Sequence, residues 1–303
     1  MSSKRSKNKK IKGAFGNKNY AAAIIAVLLV LLYYVGTYFY NTAGEYDVEV
    51  LAFPVSRGDS IAVKLKNNHN ILIDCGSSDL NSVGEEIVAP QMMLHGIHSL
   101  YAIIVTHDDS DHTNWLKTII DTFKPQYIII ADENIENKTL SFMKRSQKYK
   151  DIKFRYVRAG DKLKIDDETL FTFLYPLRNA QKSLSKNNSS IVVRLDYKKS
   201  SALFTGDLEF IGENLLLKSR YKGLLDVDLL KVAHHGSRGS SSEKFLKAVS
   251  PDIGIISCPK NDRNGYHPHE ELLKRLAAER ISVLRTGEIG VVKVKSNGYN
   301  WVY

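Results

Sequence analysis

Between residues 106 and 112 the chain reads Thr-His-Asp-Asp-Ser-Asp-His. His107, Asp109, Asp111 and His112 place four potential ligands within six residues. Imidazole nitrogens and carboxylate oxygens this dense can converge on one or two divalent cations. The competing reading is a solvated acidic turn that happens to hold two histidines. Three further segments weigh against it: Phe204–Glu209 with Asp207, Lys231–Ser237 with His234 and His235, and Gly265–Glu270 with His267 and His269. Each follows a run that reads as a strand, and strand C-terminal ends are where open sheets gather their ligand sites. Any one of them alone reads equally as a cap or a turn. Four repeating the same placement point to a metal centre.

The elements that would carry these residues follow from periodicity and from turn residues. Strands are expected at Tyr46–Phe53, Ser60–Lys66, Asn70–Asp74, Leu100–Thr106, Gln126–Ala131, Lys153–Val157, Thr169–Tyr175, Ser190–Tyr197, Ala202–Thr205, Val227–Ala233, Ile253–Ser257, Ser282–Arg285, Gly290–Lys295 and Tyr299–Tyr303. Helices are expected at Asn81–Leu94, Thr113–Phe123, Glu136–Lys148, Glu209–Arg220, Ser242–Val249 and Pro268–Arg280, with a polar loop over Lys182–Ser190. Two β-rich halves, each interleaved with helices, suggest an α+β fold of two packed sheets covered outside by helices.

Composition limits the class. At 303 residues with 43% apolar and 25% charged residues, the chain is a globular protein large enough for an enzyme. Two cysteines exclude a disulfide-stapled scaffold and a paired CxxC zinc ribbon, and leave the redox state of Cys75 and Cys258 open. The net charge of +10 is mostly local: residues 1–19 contribute seven basic residues and no acid, leaving +3 for the remainder. That remainder gives only faint support for nucleic-acid binding. Tyr20–Tyr40 is a run of 21 residues without charge, long enough as a helix to cross a bilayer. It is expected to be an uncleaved anchor rather than a signal peptide, since Asn41 fits a processing site poorly. The expected organisation is a basic cytoplasmic tail (1–19), a single transmembrane helix (20–40) and a catalytic body (45–303) outside the cell membrane, with lipid as a partner of the helix.

The ligand segment resembles the H-x-H-x-D-H signature of the metallo-β-lactamase fold. Taken in order, the segments Arg57–Ser60, Leu72–Gly76, Thr106–His112, Asn187–Ser190, Phe204–Glu209, Lys231–Ser237 and Tyr266–Glu270 resemble the hydrolase domain of the ComEC competence proteins, across nearly all of 46–303. The resemblance implies an αββα four-layer sandwich with its metal site along one edge. It further implies that His107 binds a first metal, that Asp111 and His112 belong to a second, that Asp207 bridges them and that His234 completes the second metal's shell. His235 is adjacent, and spacing does not separate the two. Asp74 would orient the ligand loop from behind. The chain departs from the superfamily pattern at Asp109, which stands where a histidine is usual, and has no histidine between His112 and His234. Asp109 would then ligate itself, with Asn187 or Asn188 nearby. An oxygen-rich shell admits Mn²⁺ or Mg²⁺ beside Zn²⁺.

A bound divalent cation brings the pKa of its water from 15.7 to about 7, which predicts hydrolysis by metal-bound hydroxide with no serine or cysteine nucleophile. Asp111, His235 and His267 are the catalytic candidates. Asp111 would steer or accept the proton. His235 would face phosphate oxygens together with Ser237 and the Gly/Ser-rich turn that follows, although Ser241 or Ser242 reads equally as a plain helix cap. His267, with Arg263, would serve the leaving group. The expected substrate is a phosphodiester, with DNA as one candidate. The alternatives are a carbon-ester or β-lactam hydrolase of the same fold, or a non-catalytic binding module with a degraded metal site.

Overall fold

The computed structural model describes residues 24–34, 46–131, 138–178, 184–260 and 267–303. Two compact units are separated, Met1–Glu45 and Tyr46–Tyr303. In the first, helix α1 covers residues 24–34 with its apolar side chains exposed. Among the described residues no helix is long and apolar enough to cross a membrane. That finding overturns the expected transmembrane helix and, with it, the expected cell-membrane location with an outward-facing body. Residues 20–23 and 35–40 of the expected span lie outside the described residues.

The second unit is a sandwich of two sheets. Strands β1 (Val48–Ala52), β2 (Ile61–Leu65), β3 (Ile71–Ile73), β4 (Ala102–Ile104), β5 (Tyr127–Ile130) and β6 (Lys153–Tyr156) belong to the first. Strands β7 (Lys162–Lys164), β8 (Thr169–Tyr175), β9 (Val192–Tyr197), β10 (Ser200–Phe204), β11 (Leu229–Lys231), β12 (Ile253–Ile256) and β13 (Ser282–Arg285) form the second. Strands β14 (Val292–Ser296) and β15 (Trp301–Val302) return to the first, whose order is β15-β14-β1-β2-β3-β4-β5-β6. The second runs β13-β12-β11-β10-β9-β8-β7. In each sheet four neighbours are parallel, β3 to β6 and β10 to β13, so their C-terminal ends share an edge.

The two-residue period of the strands sorts side chains between three cores. Ala102 and Ile104 of β4, and Ala202 and Phe204 of β10, enter the core between the sheets. Ile103 and Val105 face a second core under helices on the outer side of the first sheet. Leu203 and Leu230 face a third outside the second sheet. Both sheets are therefore apolar on both faces, which is why their strands read as continuous apolar runs. The covering helices are amphipathic. In α4 (Leu116–Phe123), Leu116, Ile119, Ile120 and Phe123 are buried at helical spacing, and Lys124 ends the helix in the left-handed region at φ 46°.

Helix ends differ from the sequence expectation where loops carry the site. The expected helix Asn81–Leu94 divides into a π-helical turn, Gly84–Val88, and α2 (Ala89–Leu94). The expected Thr113–Phe123 becomes α3 (Ser110–Thr113) and α4. Farther along, α5 spans Lys138–Arg145, α6 Phe210–Leu217, α7 Glu243–Val249 and α8 Glu270–Ala278. The polar loop before β9 contains a short 3-10 turn, Asn187–Ser189.

Candidate metal centre

The ligand segment leaves β4 and is clamped from below by two loops. Asp59 N–H donates to Asp111 O at 3.1 Å, Cys75 N–H to His112 O at 2.8 Å, and Gly76 N–H to Asp59 O at 3.1 Å. The loops touch because two of their residues lack side chains. A Cβ on Gly76 would lie 2.3 Å from the Asp111 carbonyl carbon, and one on Gly58 would lie 2.5 Å from the Asp111 oxygen. This close approach explains the glycines of the Arg57–Ser60 and Leu72–Gly76 segments: they let three backbones stack so that Asp111 and His112 face inward.

Asp111, His112, Asp207 and His235 come together with ligand atoms all within 4.8 Å of one another. His112 Nε2 lies 3.3 Å from Asp207 Oδ2. His235 Nε2 lies 3.5 Å from both Asp111 Oδ2 and Asp207 Oδ2. All but Asp111 are buried, yet His112 Nε2, His235 Nε2 and Asp207 Oδ1 have no hydrogen-bond partner. Buried polar atoms left without partners are costly. Two imidazoles and two carboxylates pointing at one another fit a divalent cation in mixed nitrogen and oxygen coordination.

Hydrogen bonds behind the rings select their tautomers. Asp74 accepts from Thr106 N–H at 2.8 Å, from the Thr106 hydroxyl at 2.6 Å and from His112 Nδ1 at 2.8 Å. His112 thus spends Nδ1–H on Asp74 and turns Nε2 toward Asp207. With its own proton on Asp74, the Thr106 hydroxyl accepts from His107 Nδ1 at 3.1 Å, so His107 Nε2 is the bare nitrogen. Behind His235 stands the Asp59 carboxylate, its Oδ1 3.6 Å from Nδ1, an ion-pair distance without a hydrogen bond. Asp59 is held by Lys231 Nζ at 2.7 Å, a pair whose side chains are 2% and 1% exposed.

The remaining candidates surround this group. His107 is buried with its ring 4.2 Å from that of His112, and its Nε2 lies 3.6 Å from Asp109 Oδ2. Asp109 is about one-third exposed and also meets Lys186 at 3.2 Å. The sequence places His234 in the metal shell and His235 in catalysis; in the structure the ring that joins the four-donor group is that of His235. His234 stands at the rim, Nε2 3.7 Å from Asp207 and Nδ1 3.6 Å from Glu209, stacked on His267 at 5.5 Å. Asn188 is not among the donors. Its amide donates to Glu209 at 2.8 Å and its carbonyl oxygen accepts from Gly212 N–H at 2.9 Å, so it anchors the start of α6. Asn187 also donates to Glu209, at 3.3 Å. Ser237 accepts from Gly239 N–H at 3.2 Å within its own turn. Of the two readings open for Ser241 and Ser242, phosphate contact or helix cap, Ser242 takes the cap of α7, its Oγ accepting from Phe245 N–H at 3.3 Å, and both amides are bonded to the buried Glu213 carboxylate. Arg263 lies outside the described residues. Cys75 and Cys258 are free and buried, and burial pushes the Cys75 thiol up to about 12.

Proton affinities follow from this crowding. Burial would lower the His235 pKa, but Asp207 and Asp59 outweigh it and raise it to about 9. Burial likewise opposes protonation of His112, and Asp207 and Asp74 carry it well above the usual imidazole range. Burial would raise Asp207, but His235 and His112 bring it well below the ordinary carboxylate value. Asp109 is lowered to about 2, first by the His107 ring beside it and then by Lys186. His267 is pushed down to about 4 by burial and by His235, His234 and His269 around it. The backbone is strained at the same place: Asp74, His234 and His235 adopt left-handed φ values of 57°, 52° and 50°. Non-glycine residues there cost on the order of 1–3 kcal/mol each, and such strain concentrates at functional sites.

Nothing in the sequence pattern assigns a role to Asp59, Lys231, Glu209, Glu213 or Lys186. Asp59 and Lys231 fall inside the Arg57–Ser60 and Lys231–Ser237 segments but are 172 residues apart, and no local pattern signals their pairing. Glu209 closes the Asp207 segment, and that adjacency is the one usable local signal among them.

The sequence pattern of the metallo-beta-lactamase superfamily matches residues 54–260. The chain belongs to that superfamily and has the fold of its metal-dependent hydrolases, with a candidate site for divalent metal. It is 31% identical over 268 residues to ComE operon protein 3 of Bacillus subtilis, a match covering 84% of this chain and 33% of the relative. It is 27% identical over 257 residues to competence protein ComA of Neisseria gonorrhoeae, covering 82% and 32%. These relatives agree with the resemblance to a ComEC-type hydrolase domain, and the chain spans about a third of their length. Among solved structures, the metallo-beta-lactamase fold protein YhfI from Bacillus subtilis superimposes with a TM-score of 0.51 at 15% identity, covering 82% of this chain and 99% of that one. That likeness concerns the fold alone.

Proposed function

We propose that this chain hydrolyses phosphodiester bonds at a centre formed by Asp111, His112, Asp207 and His235, loaded with Mn²⁺ or Zn²⁺. The observation that carries the reading is the convergence of these four side chains, three of them buried with ligand atoms lacking any protein partner. Two carboxylates in the set and Asp109 beside it make the donors oxygen-rich, which suits Mn²⁺ as well as Zn²⁺. The likeness to competence proteins favours phosphate esters over carbon esters.

When bound, the cation supplies a Lewis acid and makes water a nucleophile at neutral pH. The residues of the chain do the rest. Asp74 fixes the His112 ring from behind by a hydrogen bond, so that it presents Nε2, and the Asp59 carboxylate sets a negative charge 3.6 Å behind His235 Nδ1. Asp111, with its side chain 25% exposed, is the donor most open to solvent and the carboxylate able to take a proton from attacking water. His267, pushed down to about 4, is neutral at pH 7. It therefore serves the substrate as a hydrogen-bonding ring and not as a standing acid. Lys186, beside Asp108 and Asp109, brings an exposed positive charge to the rim for phosphate oxygens.

The test is turnover by the full chain, stripped with chelator and reloaded with Mn²⁺ or Zn²⁺, on bis(p-nitrophenyl) phosphate, a carbon ester and a lactam reporter. Diester cleavage that chelator abolishes, and that Asp111→Asn and Asp207→Asn each lower by roughly 100-fold or more, is expected. Turnover of the lactam or carbon ester alone would refute the proposal.

A further inference from the structure

Asp207 and His235 reach the metal centre from loops and not from strands. Asp207 lies beyond the end of β10 and before α6, and His235 lies beyond the end of β11. The parallel ladder of β10 and β11 stops at Phe204 and Lys231, short of both side chains. One backbone bond, His234 N–H to Gly206 O at 3.2 Å, joins the two loops directly. Yet Asp207 Oδ2 and His235 Nε2 must be held at 3.5 Å, with His234, His235 and Ser241 all in the left-handed region at φ 52°, 50° and 52°. Backbone of that kind persists only where its surroundings fix it.

The fixing groups lie farther out. Glu213 is on α6, six residues past Asp207. One oxygen of its carboxylate accepts from the amide of Ser241 and the other from that of Ser242 at 2.9 Å. Glu213 is 1% exposed and Ser241 0%, so water cannot replace these bonds. Phe210 N–H, at the start of the same helix, donates to Gly239 O at 3.0 Å. From α8, Arg275 Nη2 donates to Arg238 O at 3.0 Å and to Ser240 O at 2.8 Å. The turn at 238–242 thus has its amides held by one charged side chain and its carbonyls by another. Ser240 N–H donates to Ser237 O at 3.2 Å and Ser237 N–H to His234 O at 2.8 Å, so two bonded turns lead from this grip back to the histidines. Burying a carboxylate for the purpose is costly, and burial pushes the Glu213 carboxyl above its usual range. An apolar side chain would fill the space more cheaply. What the carboxylate adds is direction, two acceptors at a fixed separation.

We infer that Glu213 and Arg275 are positioning residues of the metal centre: by holding the turn at 238–242 through its backbone, they set the distance between Asp207 and His235. The inference rests on the four-donor centre proposed above and not on the kind of bond cleaved there.

The test compares the full chain with Glu213→Gln, Arg275→Met and Val249→Ala. Glutamine keeps the volume of Glu213 but turns an NH2 group toward an amide N–H. Val249→Ala removes buried methyl groups from α7, the helix after the turn, and is the control for lost stability alone. The readouts are Mn²⁺ affinity of chelator-stripped protein, the ligand-field absorption of Co²⁺-loaded protein, and amide exchange of residues 236–242 in EDTA. Glu213→Gln should weaken Mn²⁺ binding about 10–100-fold and alter the Co²⁺ bands. Its amides at 236–242 should exchange about tenfold faster or more, the loss expected from one hydrogen bond to a charged group. Arg275→Met, at a half-buried position, should weaken Mn²⁺ binding about tenfold and alter the same bands. Val249→Ala should melt lower than the parent but keep its Mn²⁺ affinity and Co²⁺ bands. Parental affinity and bands in folded Glu213→Gln would overturn the inference, as would the same result in Arg275→Met should Glu213→Gln not fold. So would Val249→Ala weakening Mn²⁺ as much as Glu213→Gln, because affinity would then follow stability alone. A parent that binds no Mn²⁺ would refute the centre itself and this inference with it. Glu213-dependent Mn²⁺ binding by a chain that cleaves no diester would support the inference and refute the phosphodiesterase reading alone.

Discussion

Replacing Lys231 by methionine should destabilise the protein far more than the same change at a surface lysine, and the structure gives the size. Lys231 Nζ lies 2.7 Å from Asp59 Oδ2 and 3.0 Å from Val232 O, with both charged side chains almost wholly buried. Methionine fills most of the lysine's volume but leaves the Asp59 carboxylate in a dry site, where its other oxygen already has no hydrogen-bond partner. Breaking a buried pair in this way costs about 3–5 kcal/mol. At roughly 2–4 °C per kcal/mol for a domain of this size, the melting temperature should fall by about 10 °C. The double variant Asp59→Asn/Lys231→Met removes both charges and should recover most of that loss, because an uncharged pair of similar shape is tolerated. Unfolding by urea and by heat in EDTA, which keeps metal out of the balance, measures both. A second readout separates packing from positioning. The double variant should still bind Mn²⁺ about 10–100-fold more weakly than the parent, since His235 has lost the carboxylate behind its Nδ1. A single variant within 1 kcal/mol of the parent, or a double variant less stable than the single, would refute the reasoning.

The same geometry makes three more predictions. Gly76→Ala should leave far-ultraviolet circular dichroism intact yet weaken Mn²⁺ binding at least tenfold by titration, because its Cβ would press on Asp111 and His112 backbone atoms at 2.3–2.5 Å; unchanged affinity would count against the clamp. Asp74→Asn should lower metal affinity by about 10–100-fold, as it replaces one acceptor oxygen by an amide that cannot accept from both Thr106 and His112; a variant with parental affinity would show that His112 needs no such support. The third concerns pH. In metal-free protein the His235 pKa is raised to about 9 from an ordinary 6.5, so its stabilisation is fully present below about pH 6.5 and is lost as pH rises through 9, on the order of a few kcal/mol. His112 acts in the same direction, whereas Asp207, whose pKa is depressed, stabilises above about pH 4 and loses that contribution as pH falls further. Melts in EDTA should therefore decline from pH 6.5 to 9.5; a melting temperature that climbs over that range would contradict the charge assignments.

The layered fold is legible in the sequence because the strands are apolar on both faces and the helices amphipathic, patterns that survive without tertiary information. Ile103 and Ile104 read as one buried run, and the structure assigns them to opposite cores. The split of the expected Thr113–Phe123 helix is not legible, since it arises where the ligand segment is gripped by backbone from Asp59, Cys75 and Gly76. In the site, the segment from His107 to His112 announces itself by density of ligand atoms. Adjacent His234 and His235 have the same local context in sequence, and only their two left-handed backbones decide which ring faces Asp207 closely and which the rim. The sequence leaves Ser241 and Ser242 open between phosphate contact and a helix cap; Ser242 caps α7, and the amides' partner, Glu213, lies on a helix 28 residues from Ser241, beyond any local pattern.

Anomalous diffraction at the manganese edge, from crystals of the full chain grown with Mn²⁺, is the sharpest test of the metal centre. The expected result is a peak enclosed by His112 Nε2, His235 Nε2, Asp111 and Asp207, with any second peak toward His107 and Asp109. A chain saturated with Mn²⁺ that shows no peak between those four side chains, or one only at a distant acidic surface, would contradict it.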